Sequence, residues 1–214
     1  MHILQIAILD GNVFYQEKFF ADYLTNVEDF LAKEKLKWEN DFEEAVKENP
    51  EDSDNIFSYF EDGIEKHNNY NPALLYHSAF VSLISYFEAT LFTMMEAIGA
   101  TERYVKHKMK IEIYRDSLAE YGDLSSLSTQ WEYIADCYKI RNKIVHQNAK
   151  LKSGNDAIEM KPILEKYPSI EYSKDRTFKI IDNKILLSLN TNIAVYLRNA
   201  IRIIRLDIWN KLSK

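Results

Sequence analysis

The chain has 214 residues, 46% hydrophobic and 13% aromatic, with a formal net charge of −6. That length and apolar content support one folded domain with a substantial core and exclude a disordered chain. The overall acidity argues against indiscriminate nucleic-acid binding, but the charge is uneven: residues 1–100 hold 19 acidic and 6 basic side chains, residues 101–214 hold 14 and 21.

Five glycines and four prolines favour long helices over a sheet-rich fold. Met1–Leu9 is apolar but short, lacks a basic start and runs into Asp10, so it does not read as a secretory leader. Asp10 or Asn12 is positioned to cap a first helix carrying Phe14, Phe19, Phe20, Tyr23 and Leu24. Thr25-Asn26-Val27-Glu28 reads as a capping box, so a second helix, or a bend in a long one, is expected there. It continues through Trp38, Phe42 and Val46 to Asn49-Pro50, and its acids read as a solvated face. A short helix opens at Ser53 or Asp54 and stops in a loop at His67–Tyr70.

Asn71-Pro72 is a helix start, and the helix that follows is apolar nearly all round, so it should be central. Ala73–Met95 is long enough to span a membrane. His77 and Glu88 interrupt it, and no basic cluster flanks it closely, which makes it a core helix with no membrane contact expected. Glu88 lies within about 40° of Val81, Ile84, Phe92 and Met95, a carboxylate in an apolar face. Gly99 ends this helix, and Thr101 caps another that runs to Tyr121 and Gly122.

After a polar connector, Ser125–Thr129, the stretch Trp131–Asn148 has the spacing of one helix. Ile134, Cys137, Tyr138, Ile144 and Val145 share a broad apolar sector, and Arg141 projects into its middle. A guanidinium there is costly unless paired, and Glu88 offers the complementary charge if the two faces meet. Asn142 and His146, four apart, flank the same face. Cys137 is the only cysteine and reads as a core residue in a chain without disulfides, consistent with a reducing, cytoplasmic setting.

Beyond Asn148, residues 150–190 read as a loop and a small hairpin, Thr177–Ile181 and Lys184–Leu187 around Asp182-Asn183. Pro162 and Pro168 break any long helix there, and Asn190 or Thr191 caps a last helix over 191–214. The chain is read as one all-α, up-and-down helical bundle over 1–214. Residues 1–70 form a helical extension and 71–149 the core helices.

Arg141-Asn142-Lys143-Ile144-Val145-His146 resembles the R-x(4–6)-H signature of the HEPN superfamily, and Ser82–Leu91 resembles its acid-bearing second helix. The likeness covers roughly Asn71 to Asn148. It implies a HEPN-like bundle whose two copies form a homodimer around one RNA-cleaving groove, with no metal or other cofactor. It implies Arg141, Asn142, His146 and Glu88 as catalytic residues and a 2′,3′-cyclic phosphate product. It also implies a toxin or antiviral-defence role, with an antitoxin protein as a possible partner. Chemically, an imidazole near neutrality suits removal of the ribose 2′-proton, and a fixed guanidinium suits charge building on phosphate. Members silenced by a partner nucleotidyltransferase carry Tyr two residues after the His; here that position is Asn148.

Lys139, Lys143, Lys150 and Lys152 surround the motif as candidate phosphate contacts or as ordinary solvated lysines. Arg198, Arg202 and Arg205 form a stripe suited to RNA or, more simply, to pairing with acids of the N-terminal half. His107 reads as a surface residue. Metal-site spacings, G-x-S-x-G, Walker and G-x-G-x-x-G motifs are all missing. The plainer alternative is a non-catalytic helical dimer serving protein interaction, with Arg141–Glu88 a structural salt bridge and His146 a helix cap.

Overall fold

The computed structural model describes residues 2–100 and 109–213, and 82% of the described residues are helical. The elements are α1 (His2–Glu48), α2 (Ser53–Glu65), α3 (Asn71–Ile98), α4 (Lys110–Ala119), α5 (Ser128–Gln147), α6 (Gly154–Leu164), β1 (Ile170–Tyr172), β2 (Phe178–Ile180) and α7 (Lys184–Leu212).

α3 is the centre, packed by α1, α4, α5 and α7. Tyr76, Phe80, Leu83, Ile84, Phe87, Leu91 and Met94 are buried along one broad face, while Ser78, Ser82, Thr93 and Glu96 line an exposed strip on the other side. Half of its membrane-length apolar window is buried inside the bundle. Gly99, at φ 72°, ends it, and the next amide, Ala100, donates to Met95.

The N-terminal region is one rod rather than two helices. α1 has 47 residues, about 70 Å at 1.5 Å per residue. The Thr25–Glu28 capping box is unused: Thr25 donates back to the Ala21 carbonyl, and Glu28 accepts from the Tyr76 hydroxyl at 2.6 Å, tying α1 to α3. Val13, Leu24 and Val27 bury the near half of α1; its far half packs on α2 through Trp38, Phe42 and Phe60. A Cβ on Gly63 would lie 2.6 Å from the Trp38 ring, so this close approach requires glycine.

No loop separates α2 from α3. Lys66–Tyr70 is a π turn, with the Asn71 amide donating to Lys66 five residues back. The wider winding carries the helix past Pro72, which has no N–H to give the preceding turn, so α2 and α3 form one continuous rod. Counted that way, the described residues form six helical rods.

Thr101 lies outside the described residues. α4 is opened by the Met109 amide donating to the Glu112 carboxylate at 2.9 Å. Residues 150–190 hold more than a loop and a hairpin. Ser153 caps α6 by accepting from the Asp156 amide, and Pro162 sits in the final turn before that helix stops.

The hairpin is two antiparallel strands, but earlier in the chain than the sequence suggests. Ile170, Glu171 and Tyr172 pair with Ile180, Lys179 and Phe178. Lys184–Leu187 is the first turn of α7, because Asp182 and Asn183 start a helix instead of turning a strand. The Asp182 carboxylate accepts from the Lys184 amide, and Leu187 donates to the Asn183 carbonyl. Asn190 is therefore a buried residue inside α7, donating to the Glu17 carbonyl of α1 at 2.8 Å.

Candidate functional site

α5 carries the motif. Trp131, Ile134, Cys137, Tyr138 and Ile140 anchor it in the core, while Arg141, Asn142, Lys143 and Ile144 are half-buried and His146 is exposed. Asn148, at φ 51°, and Ala149, at φ 57°, are successive left-handed residues that turn the chain back. Asn is among the few side chains that tolerate this conformation. The turn is pinned where the Phe178 amide donates to the Ala149 carbonyl and the Leu151 amide donates to that of Arg176, both at 2.9 Å.

Arg141 and Glu88 do not form the expected ion pair. The guanidinium donates through Nη1 to Asn142 Oδ1 at 3.1 Å, and its Nε is buried without a partner. Glu88 is held by Tyr138, whose hydroxyl donates to it at 3.4 Å, and by Lys110 at 3.6 Å. A helical wheel gives direction but not height: the carboxylate is taken up at Tyr138, one turn before Arg141. Tyr138 is thus a site residue that its apolar neighbours disguise in the sequence. Burial, and then the Glu88 charge, push its pKa up to about 12, with Arg141 opposing.

His146 follows Asn142 by one turn and has no hydrogen-bond partner among the described residues. His146 lies five positions after Arg141, about 140° around the helix and about 7.5 Å along it. Within one copy the two side chains therefore leave α5 in different directions.

Lys143 is not free to meet a phosphate: its ammonium binds Asp156 at 2.8 Å, lowering the pKa of that carboxyl. Lys139 is half-buried, and Lys150 is exposed with its backbone bridged to Thr177. Lys152 is exposed. His107 lies outside the described residues.

Between α3 and the end of α5 a depression of about 490 Å3 is lined by Leu74, His77, Ser78, Val81, Ile144 and Asn148. Burial lowers the pKa of His77, and its Nε2 accepts from the Ile180 amide at 3.4 Å, fastening β2 to α3. Nothing in the sequence pattern distinguishes this imidazole from a core residue. The described residues hold no group of three or more His, Cys, Asp or Glu able to bind a metal ion. Compared with protein-family models, curated proteins and solved structures, the chain matches none.

Proposed function

We propose that the protein is a metal-independent endoribonuclease of HEPN type, acting as a toxin or defence effector. In this reading RNA is cleaved in a groove shared by two copies. The observation that carries it is the state of Arg141: a half-buried guanidinium, oriented by Asn142 and left without a carboxylate among the described residues. A structural salt bridge would have neutralised that charge; an anion-binding site needs it unspent.

His146 supplies the base, exposed and one turn past Asn142. The divergence of Arg141 and His146 within one helix favours a site assembled from two copies of α5. Attack of the 2′-oxygen on phosphorus would break the bond to the 5′-oxygen, leaving a 2′,3′-cyclic phosphate and a 5′-hydroxyl.

The test is incubation of the purified chain with cellular RNA in the presence of chelator. Wild type yields cyclic-phosphate ends, and His146→Ala does not. Intact RNA with folded wild type, together with no growth defect on expression, would overturn the assignment. A non-catalytic dimer is the second reading, favoured by Leu74 and Val145, 68% and 43% exposed beside the α3–α5 depression. Under it His146→Ala changes neither phenotype nor association.

A further inference from the structure

A second feature lies at the other end of the molecule. α7 runs antiparallel to α1, with Asn190 level with Glu17 and Arg198 close to Asp10. Arg198 is partly answered there, at 3.9 Å from Asp10 and 3.8 Å from Glu17. Arg202 and Arg205, further on, make no ion pair with any described residue. They are shared by two adjoining depressions of about 480 and 410 Å3. Trp209 and Leu206, 62% and 55% exposed, complete the face. Arginine and tryptophan are the side chains that most often anchor protein interfaces, and here Arg202 and Trp209 stand exposed, with Arg205 half-buried between them, on a helix otherwise packed into the core.

The opposite end is acidic. Residues 39–65 hold eleven acidic side chains against Lys47 alone. On α2, Asp54, Glu61 and Glu65 fall within about 40° of one another. They are exposed, with no partner among the described residues, beside exposed Phe57. Each set lies along one face of its helix, and Glu61–Glu65 repeats the four-residue step of Arg198–Arg202. The two faces cannot meet within one molecule. Asp10 and Trp38 are 28 residues apart on the same rod, about 42 Å, and the arginine face extends beyond Asp10 while α2 packs at Trp38.

We infer that the arginine–tryptophan face of α7 docks the acidic α2 tip of a second copy, an interface separate from the α3–α5 face and independent of the nuclease reading. Apposing two α7 faces is disfavoured, since it would set guanidinium against guanidinium. Tip-to-face contact is heterologous: it is made twice in a closed dimer with antiparallel α1 rods, or once per copy in an open chain.

Sedimentation velocity of the full chain provides the test, at salt from about 50 mM to about 500 mM. Wild type forms a dimer or a ladder of larger species at low salt, and its dissociation constant rises at least about tenfold across that range. Arg202→Glu/Arg205→Glu lacks this association, and so does Glu61→Arg/Glu65→Arg. An equimolar mixture of the two regains it, because each reversed surface finds its opposite on the other variant. Circular dichroism confirms that both remain helical. An association that is salt-insensitive and identical in all variants would overturn the inference, as would a mixture that stays dissociated. Loss of RNA affinity in the arginine variant with self-association unchanged would make the face a nucleic-acid surface and would equally overturn it.

Discussion

Replacing Arg141 by Met separates a functional guanidinium from a structural one. Methionine keeps most of the apolar stem and removes only the charged head. If Arg141 neutralised Glu88 in the core, the change would strand a carboxylate and cost about 3–5 kcal/mol. The structure predicts otherwise, because Glu88 keeps Tyr138 and Lys110 as partners. The loss is one hydrogen bond to Asn142, about 1 kcal/mol. Against it stands the relief of a buried Nε with no acceptor, worth about 1 kcal/mol or more. The net change lies within about 1 kcal/mol of zero. For a urea slope of about 2 kcal/mol/M, the midpoint moves by less than about 0.5 M, followed by tryptophan fluorescence. A double-mutant cycle with Glu88→Gln gives a coupling below about 0.5 kcal/mol. RNA cleavage by Arg141→Met should nevertheless vanish. A midpoint lowered by about 1.5 M or more would refute the geometry on which the site rests.

Three further outcomes follow from local structure. Gly63→Ala should lower stability by about 1–2 kcal/mol in thermal melts despite alanine's better helix propensity, since its methyl would displace the Trp38 ring; an unchanged or higher melting temperature contradicts that packing. Asn148→Val should cost about 1–2 kcal/mol in urea unfolding while Asn148→Gly is near neutral, because the position is left-handed; equal effects would be inconsistent with it. On the alkaline side, Tyr76, Tyr86, Tyr133, Tyr138, Tyr167 and Tyr196 all have folded pKa values raised chiefly by burial. A raised folded pKa contributes stability that is complete below the unfolded value near 10 and is lost as pH climbs toward 12 and beyond. The phenolate absorbance of these six should therefore appear in a steep step coincident with unfolding, and their smooth titration in a still-helical chain would contradict their burial.

The parts of the fold legible in the sequence are those where one signal acts alone. α3 is apolar over most of its surface and stopped by a glycine, and α5 ends at an asparagine; both follow from burial and from backbone conformation. The hairpin is misplaced because Ile185, Leu186 and Leu187 form a short apolar run with no period of its own, equally suited to a strand or to the first turn of a buried helix. Residues 67–70 look like a loop because a proline follows, and only the π turn reveals how the rod absorbs it. At the site, the sequence supplies the helix and the polar set but not the pairing. Which helix level meets which is decided by packing, and packing gives Glu88 to Tyr138 and Lys110, and Lys143 to Asp156.

The last turn of a helix is ordinarily its first part to fray, and His146 stands on such a turn. Here the chain leaving α5 is threaded straight into β2, with Phe178 holding Ala149 and Arg176 holding Leu151. Unwinding the imidazole's turn therefore means tearing a strand off the central rod at the same moment. Amide protons from Val145 to Ala149 should exchange with solvent on the same timescale as those of the strand, as one cooperative unit.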